Sequence, residues 1–100
     1  MSDNIYSISK IQSLLKPVFD SHGVKKAILF GSYAKGKAAR NSDVDILVNS
    51  GLRGLAFFGL LEDVVTALDK KVDMLDTTQI IPDSLVDQEI AKNGVVIYER

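Results

Sequence analysis

The chain has 100 residues, 46% of them hydrophobic and 25% charged, with a formal net charge of −1 and no cysteine. That length accommodates one domain around a single modest core, taken here as residues 1–100. The near-neutral charge excludes a broad basic footprint for duplex nucleic acid, and the lack of cysteine excludes disulfide frameworks, thiolate zinc sites and cysteine nucleophiles. The N-terminal stretch MSDNIYSISK has no basic segment followed by an apolar one, and nowhere do about 18 apolar residues run together. Neither a signal peptide nor a membrane span is therefore expected, and the chain reads as cytoplasmic.

Apolar residues at Ile5, Ile8, Ile11, Leu14, Leu15, Val18 and Phe19 recur at steps of three and four, which predicts an amphipathic helix over 5–21. Pro17 falls near its end, where a missing N–H and a bulky ring kink or stop a helix. Gly23 suits the position just past the C-terminus. Residues 26–30 (KAILF) read as a buried strand ending in Gly31 and Ser32, and 43–49 (DVDILVN) as a second strand. Between them, 33–40 is small and basic and suits a short helix or turn. A loop at 51–54 (GLRG) leads into a helix over 55–70, with Phe57, Leu60, Leu61, Val64 and Leu68 on one face and Phe58 and Val65 beside them. That arc is wider than the ~100° stripe that core packing needs, so its surplus is either further core or a protein-binding face. Residues 71–76 (KVDMLD) form a third strand. Pro82 and Asn93-Gly94 bracket a helix carrying Leu85, Val86, Glu89 and Ile90, and 95–98 (VVIY) form a last strand. The order α-β-turn-β-α-β-α-β predicts an α/β (α+β) fold, a sheet with helices packed on one face.

Side chains alternate faces along a strand, so Asp43, Asp45 and Leu47 point one way while Val44, Ile46 and Val48 point the other. Asp43 and Asp45 admit two readings: turn residues at the mouth of a strand, or like charges held for a cation. Neighbouring carboxylates raise each other's pKa unless positive charge lies between them. A hard divalent ion with oxygen ligands, Mg²⁺ above all, is the fitting guest. Asp73 bears on the choice. Flanked by Val72 and Met74, it sits mid-strand on the face opposite the apolar packing, as Asp45 does, although strand interiors disfavour aspartate. If the two strands are neighbours, three carboxylates converge; otherwise they decorate a solvated sheet face.

Gly31 and Ser32 stand next to the acidic pair. Glycine at a strand end admits close approach of a ligand, and a helix N-terminus presents free N–H groups to phosphate. Ser32 adds a hydroxyl, and Lys35, Lys37 and Arg40 add positive charge nearby. His22, the sole histidine, suits a helix C-terminus and is far in sequence from these residues. Arg53 reads as a solvated loop residue or as one that folds over a nucleotide.

The stretch GSYAKGKAARNSDVDILV resembles the nucleotidyltransferase signature G-S-x-A-R-G, a spacer, then S-D-x-D and apolar residues, with a third Asp on a later strand where Asp73 stands. The resemblance runs from Gly31 through Asp73, and the GVVIY strand is similar to the family's closing strand. The short chain looks like the minimal nucleotidyltransferases of the MNT antitoxin type, which are encoded beside a helical HEPN-domain toxin. The resemblance implies a polymerase-beta-like core built on a mixed sheet. It implies Asp43, Asp45 and Asp73 as catalytic ligands of two Mg²⁺ ions, and Gly31, Ser32, Lys35 and Ser42 as nucleotide-binding residues. The implied reaction is in-line attack of a hydroxyl on the α-phosphate of ATP with release of pyrophosphate, AMP passing to a tyrosine of the partner toxin.

Lys35 stands where the signature usually carries Arg, which keeps the charge and loses bidentate phosphate geometry. Two other functions share these features: an antitoxin that acts by occlusion alone, and an antibiotic-modifying transferase. The carboxylates favour catalysis, since a pure binder has no use for a mutually repelling cluster. The antibiotic-modifying enzymes carry an additional helical domain, for which 100 residues leave no room.

Overall fold

The computed structural model describes residues 4–100; Met1, Ser2 and Asp3, the start of the N-terminal stretch read above, lie outside the described residues. Helix α1 spans Ile8–His22, three residues later than the apolar periodicity begins. Ser7 sets the start: it is extended, and its side chain accepts the Lys10 amide at 3.1 Å, satisfying one of the orphan donors of a first turn. Ile5 is left outside, 54% exposed. Pro17 does not end the helix. It lies on the exposed side with Ser13, whose carbonyl loses its helical partner to the missing N–H, while Ile11, Leu15 and Phe19 anchor the opposite side in the core. Gly23 closes α1 with φ 69°, its amide donating to the Asp20 and Phe19 carbonyls.

The chain continues as β1 (Lys26–Phe30), α2 (Gly31–Ala34), β2 (Val44–Asn49), α3 (Leu55–Leu68), β3 (Val72–Asp76), a 3-10 turn (Thr77–Gln79), α4 (Leu85–Asn93) and β4 (Val95–Glu99). The strands form a mixed four-stranded sheet in the order β3-β2-β1-β4. β1 is antiparallel to both β2 and β4, and β2 runs parallel to β3. Alternation decides what each face does. Ala27, Leu29, Val44, Ile46 and Val48 are fully buried, as are Ile11 and Leu15 of α1 and Leu60, Val64 and Leu68 of α3. Each large aliphatic side chain so placed contributes about 1.5–3 kcal/mol. His22 Nε2 meets Asp63 Oδ2 at 2.7 Å, tying α1 to α3, so the histidine belongs to helix docking. At the other side of α1, the Phe19 and Tyr98 rings pack with centroids 5.3 Å apart, and the Tyr98 hydroxyl donates to Asp20.

The wide apolar arc of α3 divides in two. Leu60, Val64 and Leu68 are core, whereas Leu55 and Phe58 are 89% and 60% exposed. Phe58 lines a groove of about 490 Å³ with Arg53, Phe57, Leu61 and Met74. α4 differs more from its sequence pattern. It buries none of its side chains, and Leu85, expected on its apolar face, is 85% exposed. It packs against β1 and α2 instead of joining α1 and α3. A Cβ on Gly94, which caps α4, would lie 2.9 Å from Cγ2 of Ile28, a side chain that alternates with the core residues Ala27 and Leu29. The two long helices thus share one face, and the end of α4 reaches the other.

α3 ends on Asp69 in the left-handed region, φ 50°, without the glycine that this conformation favours. Asp69→Gly is expected to raise stability by up to about 1 kcal/mol, read as an upward shift of the thermal midpoint. An unchanged or lower midpoint contradicts it.

Candidate active site

β2 and β3 are aligned so that Asp45 stands opposite Asp73, with Val44 opposite Val72 and Ile46 opposite Met74. Adjacent parallel strands in this register project paired residues to the same face, so the two carboxylates share the face opposite the core. Asp43 directly precedes β2 on the same alternation. The consequence is electrostatic. Burial first, then the charges of Asp73 and Asp43, push the Asp45 carboxyl up to about 6. Among the described residues, no three acidic or histidine side chains close into a cage around one point. Asp43 along the strand and Asp73 across it act on Asp45 from two sides.

Two supports hold this register. At the C-terminal ends of β2 and β3, the buried Asp76 carboxylate accepts the Ser50 amide (3.1 Å) and hydroxyl (2.6 Å). It also accepts the Thr78 amide (3.0 Å) and hydroxyl (2.8 Å). Burial would raise its pKa, but these hydrogen bonds outweigh burial and hold the carboxyl below its usual range. At the N-terminal ends, the Val44 amide donates to the Lys71 carbonyl at 3.1 Å, and the buried Lys70 ammonium donates to the Arg40 carbonyl at 3.2 Å while lying over the Tyr6 ring. Ser42 accepts the Ala39 amide at 2.8 Å. Its hydroxyl thus shapes the turn that delivers Asp43.

Gly31 is built around Asp45. Its φ is +70°, and a Cβ there would fall 2.1 Å from Asp45 Oδ2 and 3.0 Å from Cγ. Glycine is required by the carboxylate as well as by the turn. The helix it opens, α2, is only four residues long, so its dipole is small. Ser32 is half-buried, and its hydroxyl makes no hydrogen bond among the described residues. Lys35 follows one turn later, its ammonium 2.7 Å from Glu89 of α4. Arg53 is not brought here: its loop follows the far end of β2 and lines the groove beside α3. The contacts of Glu89, Asp76 and Lys70 are not legible in the sequence. A glutamate within an amphipathic pattern, an aspartate at a strand end and a lysine after a helix are each ordinary by type, and only long-range contacts distinguish them.

The donor set fits a hard cation. Mg²⁺ is held by one or two carboxylates together with substrate phosphates and waters, not by an all-protein cage. An open trio with one carboxyl raised by like charges is such a set. Strand-paired aspartates backed by a glycine turn thus stand on a mixed β3-β2-β1-β4 sheet. The profile of the "Polymerase beta, Nucleotidyltransferase" family matches residues 10–100, and the chain belongs to that family.

The relatives narrow the class. A Methanocaldococcus jannaschii protein, provisionally named a protein adenylyltransferase, is 37% identical over 79 residues, 76% of this chain and 84% of its own length. The protein adenylyltransferase MntA of Shewanella oneidensis is 44% identical over 50 residues, 48% of this chain and 36% of its own. A crystal structure of a toxin–antitoxin complex with AMP-PNP superposes with a TM-score of 0.75 at 26% identity, covering 89% of this chain and 73% of that chain. Among the described residues, no helix is long and apolar enough to cross a membrane.

Proposed function

We propose that this chain is the antitoxin of a toxin–antitoxin pair and silences its partner, a HEPN-domain toxin, by transferring AMP from ATP to a tyrosine hydroxyl. The observation that carries the reading is the alignment of Asp45 with Asp73 on the solvent face, with Gly31 cleared for the Asp45 carboxylate. The names of the relatives and the toxin–antitoxin neighbour support the donor and the kind of acceptor. Asp43, Asp45 and Asp73 would hold Mg²⁺, which when bound neutralises charge on the phosphates and on the attacking and leaving oxygens. The chain's own part begins with Gly31 and Ser32, whose backbone and hydroxyl receive the phosphates. The like-charge crowding that raises the Asp45 carboxyl to about 6 is what a bound cation would relieve, and Asp73, opposite it on β3, would help activate the entering hydroxyl. α1 and α3 seal the opposite face and keep the strands rigid.

The test is to incubate the protein with Mg²⁺, ATP labelled at the α-phosphate and the protein encoded beside it. Label is expected on a tyrosine of that partner, with loss of its toxicity. A tight complex that forms without label would establish occlusion in place of catalysis.

A further inference from the structure

Lys35, the cation of the glycine-serine turn, is already engaged. Its Nζ lies 2.7 Å from Glu89 Oε1. Glu89 is held in place for the contact, because its second oxygen accepts Asn93 Nδ2 at 3.1 Å, one turn along the same helix. The Lys35 ammonium first, then the hydrogen bond from Asn93, keeps the Glu89 carboxyl below its usual range. Since α4 buries none of its side chains and touches the body through β1 and α2, this pair is a direct polar tie between the C-terminal helix and the turn at Gly31. Both partners are partly exposed, 38% and 28%. The Glu89 oxygen that faces Lys35 is itself buried, so the carboxylate keeps a hold on the ammonium that an incoming phosphate must share or displace.

We infer that Glu89 sets the affinity of the site for nucleoside triphosphate by competing with the phosphates for the Lys35 ammonium. The inference rests on the nucleotide-transfer reading above. A triphosphate arriving at Gly31 and Ser32 brings several negative charges to an ammonium that already has a carboxylate. Part of its attraction is offset by breaking or sharing that contact. Glu89 acts through Lys35, as a positioning residue, and the signature's cation is only conditionally available to phosphate.

The experiment is a double-mutant cycle read by calorimetric titration with Mg²⁺ and AMP-PNP. Glu89→Gln keeps a polar group facing Asn93 and removes the charge; it is expected to tighten AMP-PNP about two- to fivefold. In a Lys35→Gln background the same change is expected to have no effect. Glu89→Asp, whose reach is shorter by one methylene, is expected to act in the same direction and serves if Glu89→Gln does not fold. Tightening that persists without Lys35 would be a through-space charge effect and would overturn the proposal, as would unchanged or weakened binding in Glu89→Gln. Binding of AMP-PNP with an unresponsive Glu89 removes the competitor alone. Failure of the parent and every variant to bind removes the nucleotide reading and the competitor together.

Discussion

Replacing Asp45 by Asn is expected to slow nucleotidyl transfer at least about 1000-fold and, at pH 7.5, to raise the thermal midpoint of the ligand-free protein. The two effects have one cause. Burial and the charges of Asp73 and Asp43 bring the folded-state pKa of Asp45 from 3.8 to about 6. Between those values the folded chain retains a proton that the unfolded chain has released. Stability therefore falls as pH rises from about 4 to about 6, and the deficit persists above that window. A two-unit shift corresponds to ~3 kcal/mol before screening. Asp45 is only partly buried, so about 1 kcal/mol, or 4–8 °C in the midpoint, is the expected gain from the asparagine. The check is a pair of melting curves. The advantage of Asp45→Asn should be present at pH 7.5 and vanish near pH 4. A variant less stable than the parent at pH 7.5 would contradict the electrostatic account, whatever happens to the activity.

Gly31→Ala is expected to be the most damaging single methyl group in the turn. At φ +70° an alanine pays a left-handed penalty of about 1–2 kcal/mol. Its Cβ would also lie 2.1 Å from Asp45 Oδ2, and forcing such a contact apart costs a further ~1–3 kcal/mol. The sum is a large share of the ~5–15 kcal/mol that a domain possesses. Displacing Asp45 by about 1 Å should also reduce transfer roughly 100-fold. Gly36 offers an internal control. It has the same φ, +70°, but a methyl group there would meet nothing within 4 Å, so Gly36→Ala carries the backbone penalty alone. Denaturant unfolding should find Gly31→Ala less stable than Gly36→Ala by the value of the clash, and Asp45→Ala should remove most of that difference. Equal destabilisation by the two alanines would mean that the carboxylate does not occupy the space assigned to it.

Local pattern was sufficient wherever one element met one face. The alternation in DVDILV separated carboxylates from core correctly, since Val44, Ile46 and Val48 are fully buried. The apolar step of α1 located its buried side at Ile11, Leu15 and Phe19. Periodicity overshot where a cap decided: Ile5 fits the period, but Ser7 ends the helix before it. It misled at α4, because Leu85 and Val86 satisfy a helical pattern whose apolar side the fold leaves uncovered. Arg53 follows the strand that carries Asp45, yet the strand's length separates it from that carboxylate. The Lys35–Glu89 pair, 54 positions apart by their numbers (89 − 35), was invisible for a different reason. Each residue is unremarkable in its own helix or turn, and only the placement of α4 beside α2 joins them.

β3 is an edge strand, with unpaired backbone donors and acceptors along its outer side, and such edges invite pairing with another chain. Asp73 stands exposed in the middle of it, with the exposed Lys71 just before it. A charged side chain at mid-edge makes alignment of a second strand unfavourable, as does the like charge of Asp73 in a second copy meeting it in register. The aspartate proposed for metal chemistry thus also guards the open side of the sheet against self-association, and a substitution that removes its charge exposes that edge.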